Sequence, residues 1–233
     1  MQKIVGFLKV AKTEYIEDLV LRGKLYFSLA ESFRDKKRYG AEKVDPFEGS
    51  LSKYERLMID IGTEENPHYV NVASPENIAV TGNECIYCIR SLYEKDVDYV
   101  PPTQFNIHLD PGFIPGIIGD DDWANYSFLW IMDPICFINT VEAAVKQLGL
   151  PYSFSPVNYD DHYYENTHSL FSDFHAIESY GHKNKYPYCK QQEYRFLVQN
   201  TEHKDMMIDI GSNFFKPGNF IWGKDLSILC SSS

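Results

Sequence analysis

The sharpest two-residue alternation in the chain runs through Glu193-Tyr-Arg-Phe-Leu-Val198. Tyr194, Phe196 and Val198 point one way there, and Glu193, Arg195 and Leu197 the other. That period, carried by aromatic and β-branched residues, predicts a strand over 186–200 with one apolar face on a core. Gln191, Glu193 and Arg195 then form a polar row on the opposite face. Shorter alternations and apolar runs predict further strands over 3–10, 24–28, 51–61, 84–91, 126–132, 151–159, 206–210 and 226–229, with added pairs at 69–72 and 77–80.

Helical spacing occurs at two places. Ile16, Leu19 and Val20 make a stripe over 14–22, with Thr13 as the cap, Glu14 and Asp18 early, Arg22 late and Gly23 as the stop. The second helix has Asp133 as its cap and Pro134 at its first position. It carries Phe137, Ile138, Val141, Ala144, Val145 and Leu148 on one face and ends at Gly149. A helical turn is expected at 30–34. Pro46 and Gly49 give Asp45-Pro-Phe-Glu-Gly49 the character of an ordered loop anchored by Phe47. The Pro- and Gly-rich stretch between Tyr99 and Trp123 has the length of a functional lid or cover. Strands dominate, with a few helices packed among them. The expected fold is α+β, one domain over 1–230 with a short tail at 231–233, built on a mixed, mostly antiparallel sheet.

Composition adds limits to this picture. A chain of 233 residues can bury one sizeable core, and 44% hydrophobic with 24% charged residues is usual for a soluble globular protein. Seventeen Tyr and 15 Phe suit sheet faces and clefts better than long coiled helices. A net charge of −11 repels phosphate backbones, which disfavours general nucleic-acid binding. The basic run Arg34-Asp-Lys-Lys-Arg38 is short and flanked by acid, so it reads as a solvated turn. Five cysteines without a regular framework argue for a reducing compartment. Cys85-Ile-Tyr-Cys88 has CxxC spacing, yet on a strand its two thiols face opposite sides, which suits neither chelation nor redox work. The N-terminus lacks the apolar run of a signal peptide and no stretch is long enough to span a membrane, so a cytoplasmic protein is expected.

Three motifs in order carry a resemblance: Gly23-Lys-Leu-Tyr-Phe-Ser28, Asp45-Pro-Phe-Glu-Gly49, and Tyr188-x-x-Gln-Gln-Glu-Tyr-Arg-Phe196. Together they resemble a large prokaryotic and phage family known as domain of unknown function 2971, in which no activity is settled. The charged Lys43-Val-Asp45 departs from the more usual Phe-Asn-Asp before the Pro-Phe turn. Gln191-x-Glu193 is also similar to the Gln-x-Glu motif of ADP-ribosyltransferases, where the Glu hydrogen-bonds the nicotinamide ribose and stabilises an oxocarbenium-like transition state. That similarity implies catalytic roles for Glu193 and Gln191 and ligand contacts from Arg195, Tyr26, Ser28, Asp45 and Glu48. It further implies NAD as substrate, no metal, and an ADP-ribosyltransferase-like form of the α+β fold. Lys9, Arg22 or Lys24 would have to supply the cation that grips NAD, and the middle Ser-Thr-Ser-like element has only Tyr26-Phe27-Ser28 as a loose counterpart.

Two other roles stand beside that of an NAD- or nucleotide-handling enzyme in phage–host conflict. One is a non-enzymatic module that sequesters a nucleotide or binds a host or defence protein, for which the acidic surface suits a basic partner. The other is structural, with Glu193 and Arg195 pairing charges to lock the sheet. Metal-assisted hydrolysis through Asp160, Asp161, His162, Glu165, His168 and His175 lacks a recognised ligand spacing. A serine nucleophile elbow, a P-loop and a dinucleotide glycine fingerprint are absent from the sequence.

Overall fold

One strand, β5 (Glu84–Tyr93), organises the molecule, because both of its edges are used and one edge is shared by two partners. The computed structural model describes residues 3–34, 83–100, 104–109, 113, 118, 122–160, 182–184 and 188–224, together with the backbone of 50–60 and 69–79. The remaining strands of the main sheet are β1 (Ile4–Lys12), β2 (Lys24–Leu29), β8 (Tyr126–Ile131), β9 (Tyr152–Pro156), β12 (Glu193–Gln199), β13 (Met206–Asp209) and β14 (Phe220–Gly223). They run in the order β13-β2-β5-β1-β8-β14, with β12 joined to β5 and β9 joined to β12. Every pairing in this eight-stranded sheet is antiparallel. Two-stranded ribbons pair β3 (Ser50–Asp60) with β4 (Tyr69–Ala79), β6 (Val97–Val100) with β7 (Gln104–Ile107), and β10 (Asn158–Asp160) with β11 (His182–Asn184). The last of these is parallel. The fold is thus a single-domain α+β structure with a mostly antiparallel sheet.

One sheet face carries the main core. Phe7, Phe27, Tyr87, Ile89, Leu129, Ile131, Tyr194, Phe196 and Val198 all point to it, as a two-residue period requires. Two helices cover that face: α1 (Thr13–Arg22) through Ile16, Leu19 and Val20, and α2 (Pro134–Leu148) through Phe137, Val141 and Val145. Phe137 meets Phe196 edge to face with centroids 5.7 Å apart, so helix and sheet interlock through aromatic edges.

Several boundaries differ from what the sequence suggests. Leu148, placed on the apolar stripe of α2 by its spacing, is 51% exposed. It is the last residue of the helix. Thr13 does not cap α1. The helix begins at Thr13 with Lys12 before it and no side-chain cap, while Thr13 Oγ1 lies 2.8 Å from Ser127 Oγ. The late strand starts at Glu193 rather than near 186, because Cys189–Gln191 forms a 3-10 turn and Gln192 is left-handed at φ 47°. The expected strand at 226–229 and the Asp45–Gly49 loop lie outside the described residues.

Candidate functional site

The register of β12 on β5 sets the polar groups in cross-strand rows. Leu197 stands opposite Ile86, Arg195 opposite Cys88, and Glu193 opposite Arg90, all on the face turned away from the main core. That face is apolar at one end, where Ala30, Ile86 and Leu197 pack with Phe33. Toward the start of β12 it becomes charged.

The centre of the charged corner is Glu193. Its Oε1 accepts from Lys183 Nζ at 2.9 Å and its Oε2 from Arg195 Nε at 2.8 Å. Lys183 also donates to Gln191 Oε1 at 2.9 Å, and its ammonium lies 4.9 Å from the centre of the Tyr188 ring. The backbone is tied down as well: Glu193 N–H donates to the Tyr159 hydroxyl at 3.0 Å, and Val157 N–H donates to Glu193 O at 2.9 Å. All three side chains are largely buried, Arg195 at 2% exposure, Lys183 at 7% and Glu193 at 13%. Beside it Arg90 Nη1 donates to Lys190 O at 2.5 Å and its guanidinium lies over the Phe113 ring at 4.4 Å.

Electrostatics follow this geometry. Burial alone would raise the pKa of Glu193, but the charges of Lys183 and Arg195, with their hydrogen bonds, outweigh it and hold the carboxyl at about 2. Burial, and then the Glu193 charge, push the Cys88 thiol up to about 12. The Tyr159 hydroxyl is raised for the same two reasons. Both stay protonated at neutral pH, so the corner's anion is a carboxylate and neither a thiolate nor a phenolate.

Lys9 reaches the same region from the core side. The pairing of β5 covers Arg90–Tyr93 with β1 and Cys85–Ile86 with β2, which leaves Cys88 between two diverging strands. Lys9 Nζ donates to the Cys88 carbonyl at 2.5 Å and sits 4.7 Å from the Tyr87 ring centre. Burial lowers its pKa, against the opposing influence of Cys88 and Glu193.

Among the residues singled out by sequence, the structure joins Glu193, Arg195 and Gln191. Gln191 arrives through the 3-10 turn and its bond to Lys183, not through a shared strand face. Tyr26 is directed elsewhere, its hydroxyl bonded to Asp205. Ser28 pairs with Ile86, four residues along β5 from Arg90, or roughly 13 Å at strand rise. Arg22 and Lys24 are engaged in outlying pairs with Asp18 and Asp209. Asp45, Glu48, Asp161, His162, Glu165, His168 and His175 lie outside the described residues, and Asp160 is described by its backbone alone. Cys85 faces the main core and Cys88 the opposite side, as their spacing on a strand dictates.

Sequence reasoning missed Lys183, Tyr159 and Arg90. Arg90 had a usable signal, being the one charge inside the apolar run Cys85–Leu92. Lys183 sits among polar neighbours with no period to mark it, and only the tertiary pairing of β10 with β11 brings it to Glu193. No protein-family model, curated protein or solved structure matches the chain.

Proposed function

We propose that the protein binds a nucleotide-type anionic small molecule at the mouth of β12 and holds it without turnover. The supporting observation is the convergence of two nearly inaccessible cations, Lys183 and Arg195, on one carboxylate in a chain of net charge −11. Burying cations is costly, and a recognition site for an oxyanion is one setting in which that cost is met by function. Tyr159, Tyr188 and Phe113 border the corner, with Lys183 over the Tyr188 ring and Arg90 over the Phe113 ring.

The test is calorimetric titration of NAD and ADP into the wild type, paired with chromatographic assay of NAD over hours. Binding with NAD intact supports the proposal. NAD consumption that disappears in Glu193→Gln would instead establish the transferase reading. No heat with either nucleotide would remove the nucleotide reading altogether.

A further inference from the structure

We propose that Glu193 is a built-in stand-in for the ligand: its carboxylate occupies an oxyanion seat formed by Lys183 and Arg195, and the bound ligand's phosphate or carboxylate replaces it there. This rests on the binding function proposed above and names the chemistry of its central contact. Two largely buried cations converge on one carboxylate, with one oxygen on each cation. Any oxyanion with two oxygens at carboxylate or phosphate spacing fits the same pair of donors. A ligand anion that takes these two donors has to displace Glu193 from them.

The backbone favours such an exchange. Gln192, next to Glu193, is held in the left-handed region at φ 47° and ψ 44°, a conformation uncommon for a residue with a side chain. Its Oε1 is buried and has no hydrogen-bond partner among the described residues. Strain and an unmet acceptor beside a charged seat are features that binding sites retain and stability alone would remove. Arg90, the register partner of Glu193, is held beside it by Lys190 O and the Phe113 ring.

The proposal reverses the usual expectation for a site residue, since removing the Glu193 charge should improve binding. ADP and inorganic pyrophosphate serve as probes for calorimetry on wild type, Glu193→Gln and Lys183→Met. Glu193→Gln is expected to bind ADP roughly tenfold more tightly, the effect of about 1.4 kcal/mol of lost competition, and Lys183→Met to bind neither probe. Should Glu193→Gln not fold, the wild type carries the test. With 13C-labelled glutamate, saturation with ADP should move the Glu193 carboxyl resonance toward that of a free carboxylate. Equal or weaker ADP binding by Glu193→Gln, or an unmoved Glu193 resonance in wild type saturated with ADP, overturns the exchange while leaving nucleotide binding intact. Absence of ADP and NAD binding to wild type and Glu193→Gln alike overturns both.

Discussion

Glu193 is both a candidate ligand element and a structural one, and its titration separates these roles. Its pKa is depressed in the folded protein from the ordinary 4.5 to about 2. Its contribution to stability is therefore whole above pH 4.5 and is lost as pH falls through that window to about 2. Glu193→Gln should cost about 3 kcal/mol at pH 7, because it leaves Lys183 and Arg195 buried around a neutral amide. Urea denaturation at pH 7 and pH 3 checks this. The gap between wild type and variant should narrow at the lower pH, and an equal gap at both would show that the ion pair is not what stabilises the corner. The polar row of β12 was legible in its two-residue period. The left-handed turn at Gln192 was not, since nothing in Lys190-Gln-Gln-Glu marks a backbone reversal, so Gln191 was placed on the wrong element.

At the scale of elements, helices were easier to read than strand ends. The α2 helix follows from its own sequence: Asp133 Oδ1 accepts from Cys136 N at 2.9 Å, Pro134 opens the helix, and Gly149 closes it at φ 66°. Val141 on its inner face is fully buried. Val141→Asp should cost about 4 kcal/mol by placing an unpaired charge in the core, and an unchanged melting temperature would show that the helix does not hold the sheet. Gly23 makes a similar local argument at the end of α1. It is left-handed at φ 67°, and an added Cβ would lie 2.3 Å from the Gly211 carbonyl carbon. Neither group can yield easily, as both belong to backbone. Gly23→Ala should therefore destabilise by more than the roughly 1 kcal/mol expected for a left-handed alanine alone, readable as a fall in the urea midpoint. The Gly was visible in sequence as a stop signal. Its close approach to Gly211 depends on β13 pairing with β2 and could not be seen there.

The whole molecule is built around a fork, and that is the feature least accessible to sequence. Alternation indicated strands and their inward faces, and so an antiparallel α+β sheet. Partner choice depends on which edges meet across long separations, and β5 accepts β12 on one edge while β1 and β2 share the other. Between the two shared pairings the Cys88 carbonyl has no strand opposite it among the described residues, and a buried carbonyl without a partner is expensive. The Lys9 ammonium fills that place at 2.5 Å. This explains why a cation is retained against the burial that lowers its pKa. It also gives Lys9 a role in joining β1 to β5 that differs from gripping a ligand. Lys9→Met keeps most of the stem and removes the donor. It should cost about 1–3 kcal/mol and speed amide exchange near residues 87–89, where the fork would loosen. The binding of ADP should change little, because Lys9 lies on the core side of the sheet from Lys183 and Arg195. A variant of normal stability that had lost ADP binding would instead place Lys9 among the ligand's direct contacts, and the fork would then need another explanation for its closure.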